Sequence, residues 1–265
     1  MKKHEWVAGV GEMKQEALEY LIGNESISGI IFGDYFCTKR MYAGGMAEML
    51  KFMHWAYEAN KRIYFRTRAF VTSENYSEML EMISTVCSID PMAVIMCQDI
   101  GLASDIKRLF PGHEIIWSRM ARNREDLVTA ETVKFLKDMG ISSAIEERTE
   151  RIRSYQSLGM QVFGVYGDYS WVSFGRTCYN TDQTLTPPEE CGHICRRGWY
   201  LIKPGNGFKL SMDGYVLGEK YNYIKDIASV LQICTTCFVE APHIEEWKKR
   251  FGEVQKALGL SSVNT

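Results

Sequence analysis

The stretch Ala130–Glu147, AETVKFLKDMGISSAIEE, decides the fold class. Its first part, Ala130–Met139, carries apolar residues at helical spacing, and Gly140 follows as a natural C-terminal cap. Its second part, Ser142–Glu147, is a short run that reads as a strand. A helix that stops at a glycine and gives way at once to a strand is half of a βαβ unit, which builds a parallel sheet. The same rhythm runs outward in both directions. Strands are expected near Trp6–Gly11, Ile27–Gly33, Arg62–Phe70, Ala93–Gln98, Glu114–Arg119, Gln161–Tyr166 and Leu231–Glu240, with a further helical pattern at Met46–Ala59. This makes about eight strand-helix units, and a (β/α)8 barrel of about 250 residues is the common single-domain solution at this length. An open doubly wound sheet is the competing arrangement, but no glycine-rich phosphate loop opens any of the helices. The expected architecture is one TIM-barrel-like α/β domain over residues 1–265.

One segment breaks the rhythm. Residues 173–223 hold Pro187-Pro188, several glycines and the KPGNG turn at Lys203–Gly207, with weak periodicity. A loop this long within a compact domain usually serves a function, and the segment is read as a hairpin-bearing insertion after the seventh strand. It carries three of the eight cysteines.

Composition narrows the function classes. The 46% hydrophobic fraction is that of an ordinary globular protein. A formal net charge of −2 offers no general attraction to polyphosphate, and the basic runs Arg196-Arg197 and Lys248-Lys249-Arg250 read as solvated faces. The N-terminal MKKHEWVAGVGEMK has too short an apolar stretch for a signal peptide, and no run approaches the roughly 18 apolar residues of a membrane span. A cytoplasmic location is expected. There thiols stay reduced, so metal binding, packing or redox chemistry must account for the cysteines rather than a disulfide framework.

Cys178, Cys191 and Cys195 form a C-x12-C-x3-C pattern on the irregular segment, and Cys37 follows the second expected strand. In a parallel barrel the loops after the strand C-termini share one face, so Cys37 and the trio are expected at the same mouth. Soft thiolates select zinc or iron–sulfur centres. A 4Fe-4S cluster is the favoured occupant. Structural zinc is the rival, with His193 able to replace one cysteine, and packing of the thiols as small buried hydrophobes is the third reading. The positive side chains Lys39, Arg40, Arg196 and Arg197 flank the ligands and would offset an anionic cluster. Gly192 would let backbone N–H groups approach sulfur.

Several stretches resemble the collagenase-like peptidase family U32: AVIMCQDIGLASDIKRLFPGHEI at Ala93–Ile115, VKFLKDMGIS from Val133, GDYSWVSFGRTC from Gly167 and CGHICRRGWYLI from Cys191. Where the family usually has one more cysteine ahead of Cys178, this chain has Ser170. Its FGDYFCTKR run at Phe32–Arg40 instead resembles a branch that draws a cluster ligand from an early C-[ST]-K-R segment. That branch serves ubiquinone biosynthesis by oxygen-independent hydroxylation. The resemblance therefore implies a 4Fe-4S subunit of such a hydroxylase, working as a heterodimer with a related family member on a small-molecule substrate. The alternatives are RNA-base hydroxylation, a peptidase-family activity, and a non-catalytic subunit whose metal site docks a partner.

Barrel active sites are assembled from strand ends, where this sequence places Arg66, Arg68, Gln98, Asp99, Arg119, Glu146 and Glu240. Arginines there suit an anionic carboxylate or phosphate; an internal salt-bridge layer is the alternative. No Ser-His-Asp, Cys-His or HExxH arrangement is visible, so no peptidase mechanism follows from the residues. Cys234-Thr235-Thr236-Cys237 matches C-x-x-C, but on an expected strand its thiols face opposite sides and no helix N-terminus lowers their pKa, so a structural role is expected. Cys87 and Cys97 fall in regular elements and are assigned to the core.

Overall fold

The computed structural model describes residues 4–10, 14–33, 45–68, 71–117, 128–146, 149–166, 169–171, 199–201, 208–211, 215–218, 230–231, 233–241 and 244–259. Strands β1 (Glu5–Val10), β2 (Ile27–Phe32), β3 (Arg62–Arg66), β4 (Val94–Cys97), β5 (Glu114–Trp117), β6 (Ser143–Glu146) and β7 (Gln161–Tyr166) alternate with helices α1 (Gln15–Gly23), α2 (Met46–Glu58), α3 (Tyr76–Ile89), α4 (Ile100–Leu109), α5 (Ala130–Asp138) and α6 (Thr149–Ser157). Four short strands follow: β8 (Tyr169–Trp171), β9 (Trp199–Leu201), β10 (Phe208–Ser211) and β11 (Tyr215–Gly218). The chain then continues through β12 (Thr236–Ala241) into α7 (Ile244–Ala257).

The parallel strands close into an eight-stranded barrel in the order β1-β12-β7-β6-β5-β4-β3-β2. The four short strands make a separate antiparallel sheet, β8-β11-β10-β9; β9, β10 and β11 fall within residues 173–223, where the sequence rhythm fails, and β8 lies just ahead of them. No helix among the described residues is long and apolar enough to cross a membrane.

Local signals account for the helices. Thr129 caps α5 by accepting a hydrogen bond from Thr132 N–H, and α5 buries Val133 and Leu136. Gly140 then turns the chain with φ at +83°, a left-handed conformation open to glycine. Lys61 fixes the entry to β3: its Nζ donates to Asn24 O at 2.8 Å and to Ile27 O at 2.7 Å, tying the loop after α1 to the start of β2. Burial lowers its pKa.

Alternation along the strands sorts side chains into two cores. Trp6, Ile30, Phe32, Ile63, Phe65, Ile95 and Val239 point outward against the helices. Val7, Ile31, Tyr64, Val94, Met96, Ile116, Ile145, Phe163 and Phe238 fill the barrel interior, each buried side chain contributing about 1.5–3 kcal/mol. Phe238 meets Tyr64 and Phe163 edge-on, with ring centres 5.2 and 5.6 Å apart. A Cβ at Gly29 would lie 2.5 Å from the Tyr64 ring, so only glycine admits the ring there. At the N-terminal end Glu114 takes the Arg62 guanidinium at 3.4 Å and the Ser143 hydroxyl at 2.8 Å, while Thr236 donates to Glu5 at 3.2 Å. The barrel is a packed core floored by polar groups.

Two expected boundaries move. The strand expected over Arg62–Phe70 ends at Arg66, because Thr67 makes one more ladder bond to Met96 O and Arg68 turns to Glu78 of α3. The strand expected over Leu231–Glu240 begins only at Thr236. Residues 230–231 and 233 are helical, and Cys234 N–H closes that turn on Val230 O at 2.8 Å. Cys234 thus precedes the strand and only Cys237 lies on it.

Candidate functional site at the barrel mouth

The C-terminal ends of the parallel strands form one rim, and the inward alternation delivers Arg66 and Glu240 to it. Each stands two residues beyond a member of the interior core, Tyr64 and Phe238 respectively, and Gln98, the residue after β4, is buried. Arg66 Nη2 donates to Glu240 Oε1 at 2.9 Å, and both side chains are buried, at 4% and 12% exposure. In the wall, β3 and β12 are separated by β2 and β1, three steps of about 4.8 Å each. The ion pair therefore crosses the mouth rather than running along the wall.

Gly9 makes this bar possible. It occupies the inward position of β1 after Val7, and a Cβ there would come within 3.1 Å of Glu240 Cγ and 3.0 Å of Ile31 Cδ1. Gly33 lets β2 approach β3: its φ is +102°, and a Cβ would fall 2.3 Å from Arg66 O. The base of Glu240 is held from outside by α7. Arg250, fully buried, donates from Nη1 to Glu240 O at 2.8 Å and from Nε to Glu246 at 3.2 Å, while Trp247 Nε1 donates to Val239 O at 2.8 Å.

The other strand-end residues have different surroundings. Arg68 pairs with Glu78 at 2.8 Å. Asp99 caps α4, its carboxylate accepting from Leu102 N–H at 2.9 Å. Glu146 follows the inward Ile145 and so faces outward, 3.7 Å from Arg151 of α6. Gln98 Nε2 and Arg68 Nε are buried donors with no hydrogen-bond partner among the described residues. Arg119 lies outside the described residues.

So do Cys37, Cys178, Cys191 and Cys195, together with Lys39, Arg40, Gly192, His193, Arg196 and Arg197. What the fold supplies is the origin of their segments: β2 ends at Phe32 and β7 at Tyr166, both at the mouth. The wall runs β7-β12-β1-β2 between them, roughly 15 Å. At about 3.3 Å per extended residue the chain from Phe32 to Cys37 covers that span, and the chain from Tyr166 to Cys178 more than covers it. Among the described residues, no three His, Cys, Asp or Glu side chains are grouped to hold a metal.

Burial disfavours the thiolate form of all four cysteines among the described residues. Burial pushes Cys97 up to about 12 and Cys234 to about 11, and it raises Cys237 further. Cys87 is half-buried on α3, with its pKa raised by burial to about 11. A thiolate nucleophile needs the opposite shift.

Sequence reasoning missed Gly9 and the α7 clamp. A glycine one inward step beyond Val7 was a usable signal for the first. The i,i+4 spacing of Glu246 and Arg250 hinted at the second, but not that Arg250 is turned towards the barrel.

The sequence matches peptidase family U32 over residues 14–241. No curated protein matches it. Among solved structures, the U32 peptidase Mk0906 superposes with a TM-score of 0.56 at 11% identity, covering 90% of this chain and 92% of that one. A protein from Aquifex aeolicus superposes with a TM-score of 0.52 at 8% identity, covering 98% and 91%. At these identities the likeness concerns the fold.

Proposed function

The chain belongs to peptidase family U32, and on that premise we propose that it is an iron–sulfur protein of an oxygen-independent hydroxylation system, resembling the ubiquinone-biosynthesis protein UbiV. Cys37, Cys178, Cys191 and Cys195 would hold a 4Fe-4S cluster, flanked by Lys39, Arg40, Arg196 and Arg197. The observation that carries this reading is topological: the two cysteine-bearing segments leave the same rim from strands three steps apart, within the reach of each arm. The C-x12-C-x3-C spacing and the early CTKR run support the same assignment. A bound cluster would supply single-electron transfer without O2.

The protein's own part is to present four thiolates from two segments and to keep a shaped, mostly buried mouth beside them. The partner would be a related family member, as UbiU is for UbiV. The test is anaerobic purification followed by iron and acid-labile sulfide analysis, beside the four single Cys→Ser variants. We expect about four irons and four sulfides per chain, with loss of cluster absorbance in each variant. Zinc without sulfide would replace the reading with a structural metal site, and absence of all three would end it.

A further inference from the structure

We propose that the floor end of the barrel, across the ends of α2 to α5, pairs with a second copy of this chain. Among the described residues four large apolar side chains stand in solvent: Tyr57 at 45% exposure, Met92 at 66%, Leu109 at 44% and Phe135 at 49%. All four belong to consecutive strand-helix units. Tyr57 and Leu109 lie at the C-terminal ends of α2 and α4, Phe135 in the last turn of α5, and Met92 on the loop from α3 into β4. Helices of a parallel barrel run back against the strands, so these positions gather at the end opposite the mouth.

The segments that carry them adjoin one another. Arg62, which opens β3 just after α2, donates from Nε to Met92 O at 3.2 Å. His113, just after α4, meets the next carbonyl, Ala93 O, with Nδ1 at 3.0 Å. Farther along, the Lys107 side chain of α4 lies across Gly140, where a Cβ would come within 2.6 Å of its Cγ, and this sets the end of α4 against the end of α5. Leu109 also falls in step with the buried Leu102 and Ile106, so the apolar stripe of α4 runs past the core into water. Single exposed apolar residues are ordinary, whereas a row of them on adjoining segments marks an interaction surface.

Charge identifies the occupant. Helices α1, α2 and α3 carry six acidic side chains and one basic, Lys51; α4, α5 and α6 carry six basic and four acidic. Met92 stands at the boundary between the two halves. A two-fold axis at that boundary lays the acidic half of one copy on the basic half of the other and sets the two apolar rows together. A partner of a single charge sign would be repelled by half of this surface. The mouth and its cysteine-bearing arms remain free at the other end, so the pairing does not depend on the metal reading.

Sedimentation equilibrium of the full-length protein over about 1–100 µM makes the test. We expect a reversible dimer that Met92→Asp weakens at least about tenfold, because the pairing then covers two carboxylates without partners. It should also weaken as salt rises from about 0.1 to 1 M and the screening length falls from about 10 to 3 Å. Circular dichroism checks the fold of each variant, and Leu109→Asp reads the same surface from a neighbouring helix. A wild-type chain that stays monomeric over this range would overturn the proposal, including one that associates only with a different protein. So would a dimer indifferent to both substitutions, or one that salt leaves unchanged. Iron and sulfide measured on the same samples report separately on the cluster.

Discussion

Removing the charge of Glu240 while keeping its shape, Glu240→Gln, probes the bar across the barrel mouth. At 2.9 Å the gross attraction between the two charges is on the order of 6 kcal/mol at an effective dielectric constant of about 20. Desolvation offsets most of it, so the pair adds little net stability. Breaking it is another matter, because Arg66 is 4% exposed and its charge would stay buried without its carboxylate. Loss of one partner from such a pair costs about 3–5 kcal/mol. Both side chains make further contacts, so neither single variant isolates the pair and a double-mutant cycle is needed. Urea unfolding followed by tryptophan fluorescence would be run on Glu240→Gln, Glu240→Leu, Arg66→Met and Arg66→Met/Glu240→Leu, the last three closing the cycle. We expect each single variant to lose about 3 kcal/mol and the apolar double variant to recover to within about 2 kcal/mol of wild type. A double variant whose loss equals the sum of the singles would refute the claim that these charges are coupled and buried.

Three further outcomes follow from the geometry. Tyr64 is held neutral by burial, its pKa pushed up to about 12 from an ordinary value of 10.0. The unfolded chain loses that proton first as pH rises, so this contribution to stability is intact below pH 10 and disappears as pH climbs to 12. Tyr64→Phe should flatten the alkaline fall in urea stability by up to about 2–3 kcal/mol, and an unchanged slope would contradict the assignment. Lys61→Met should cost about 1–3 kcal/mol in the same assay by leaving two carbonyls without their donor; a neutral result would show that water replaces the ammonium. Cys97, Cys234 and Cys237 should resist alkylation at neutral pH until the protein is unfolded in urea, read by mass spectrometry of the labelled peptides. Rapid labelling of Cys234 or Cys237 in the folded protein would revive a redox role for the C-x-x-C pair.

Much of the fold was legible because barrel elements announce themselves locally. The strand at Gln161–Tyr166 and the helix at Met46–Ala59 agree with the structure to within a residue, since buried parallel strands are short apolar runs and the helices between them follow a 3.6-residue period. The strand before α7 was misplaced at its start because LQIC, Leu231–Cys234, is as apolar as the strand after it; packing of Val230 and Cys234 against Gly164 accompanies the helical turn instead. The site was less legible. Arg66, Gln98 and Glu240 could be named as strand-end residues, yet so could Asp99, which caps a helix, and Glu146, which faces away from the lumen.

The sequence alone therefore determined the order and type of the elements and which strand ends carry chemistry, because those depend on neighbours a few residues away. Only the tertiary structure decided that Arg66 is already neutralised by Glu240, 174 residues distant, and that Gly9 clears the space between them. Such pairings arise when the barrel closes, and no local pattern records which side chains a closed ring will bring face to face.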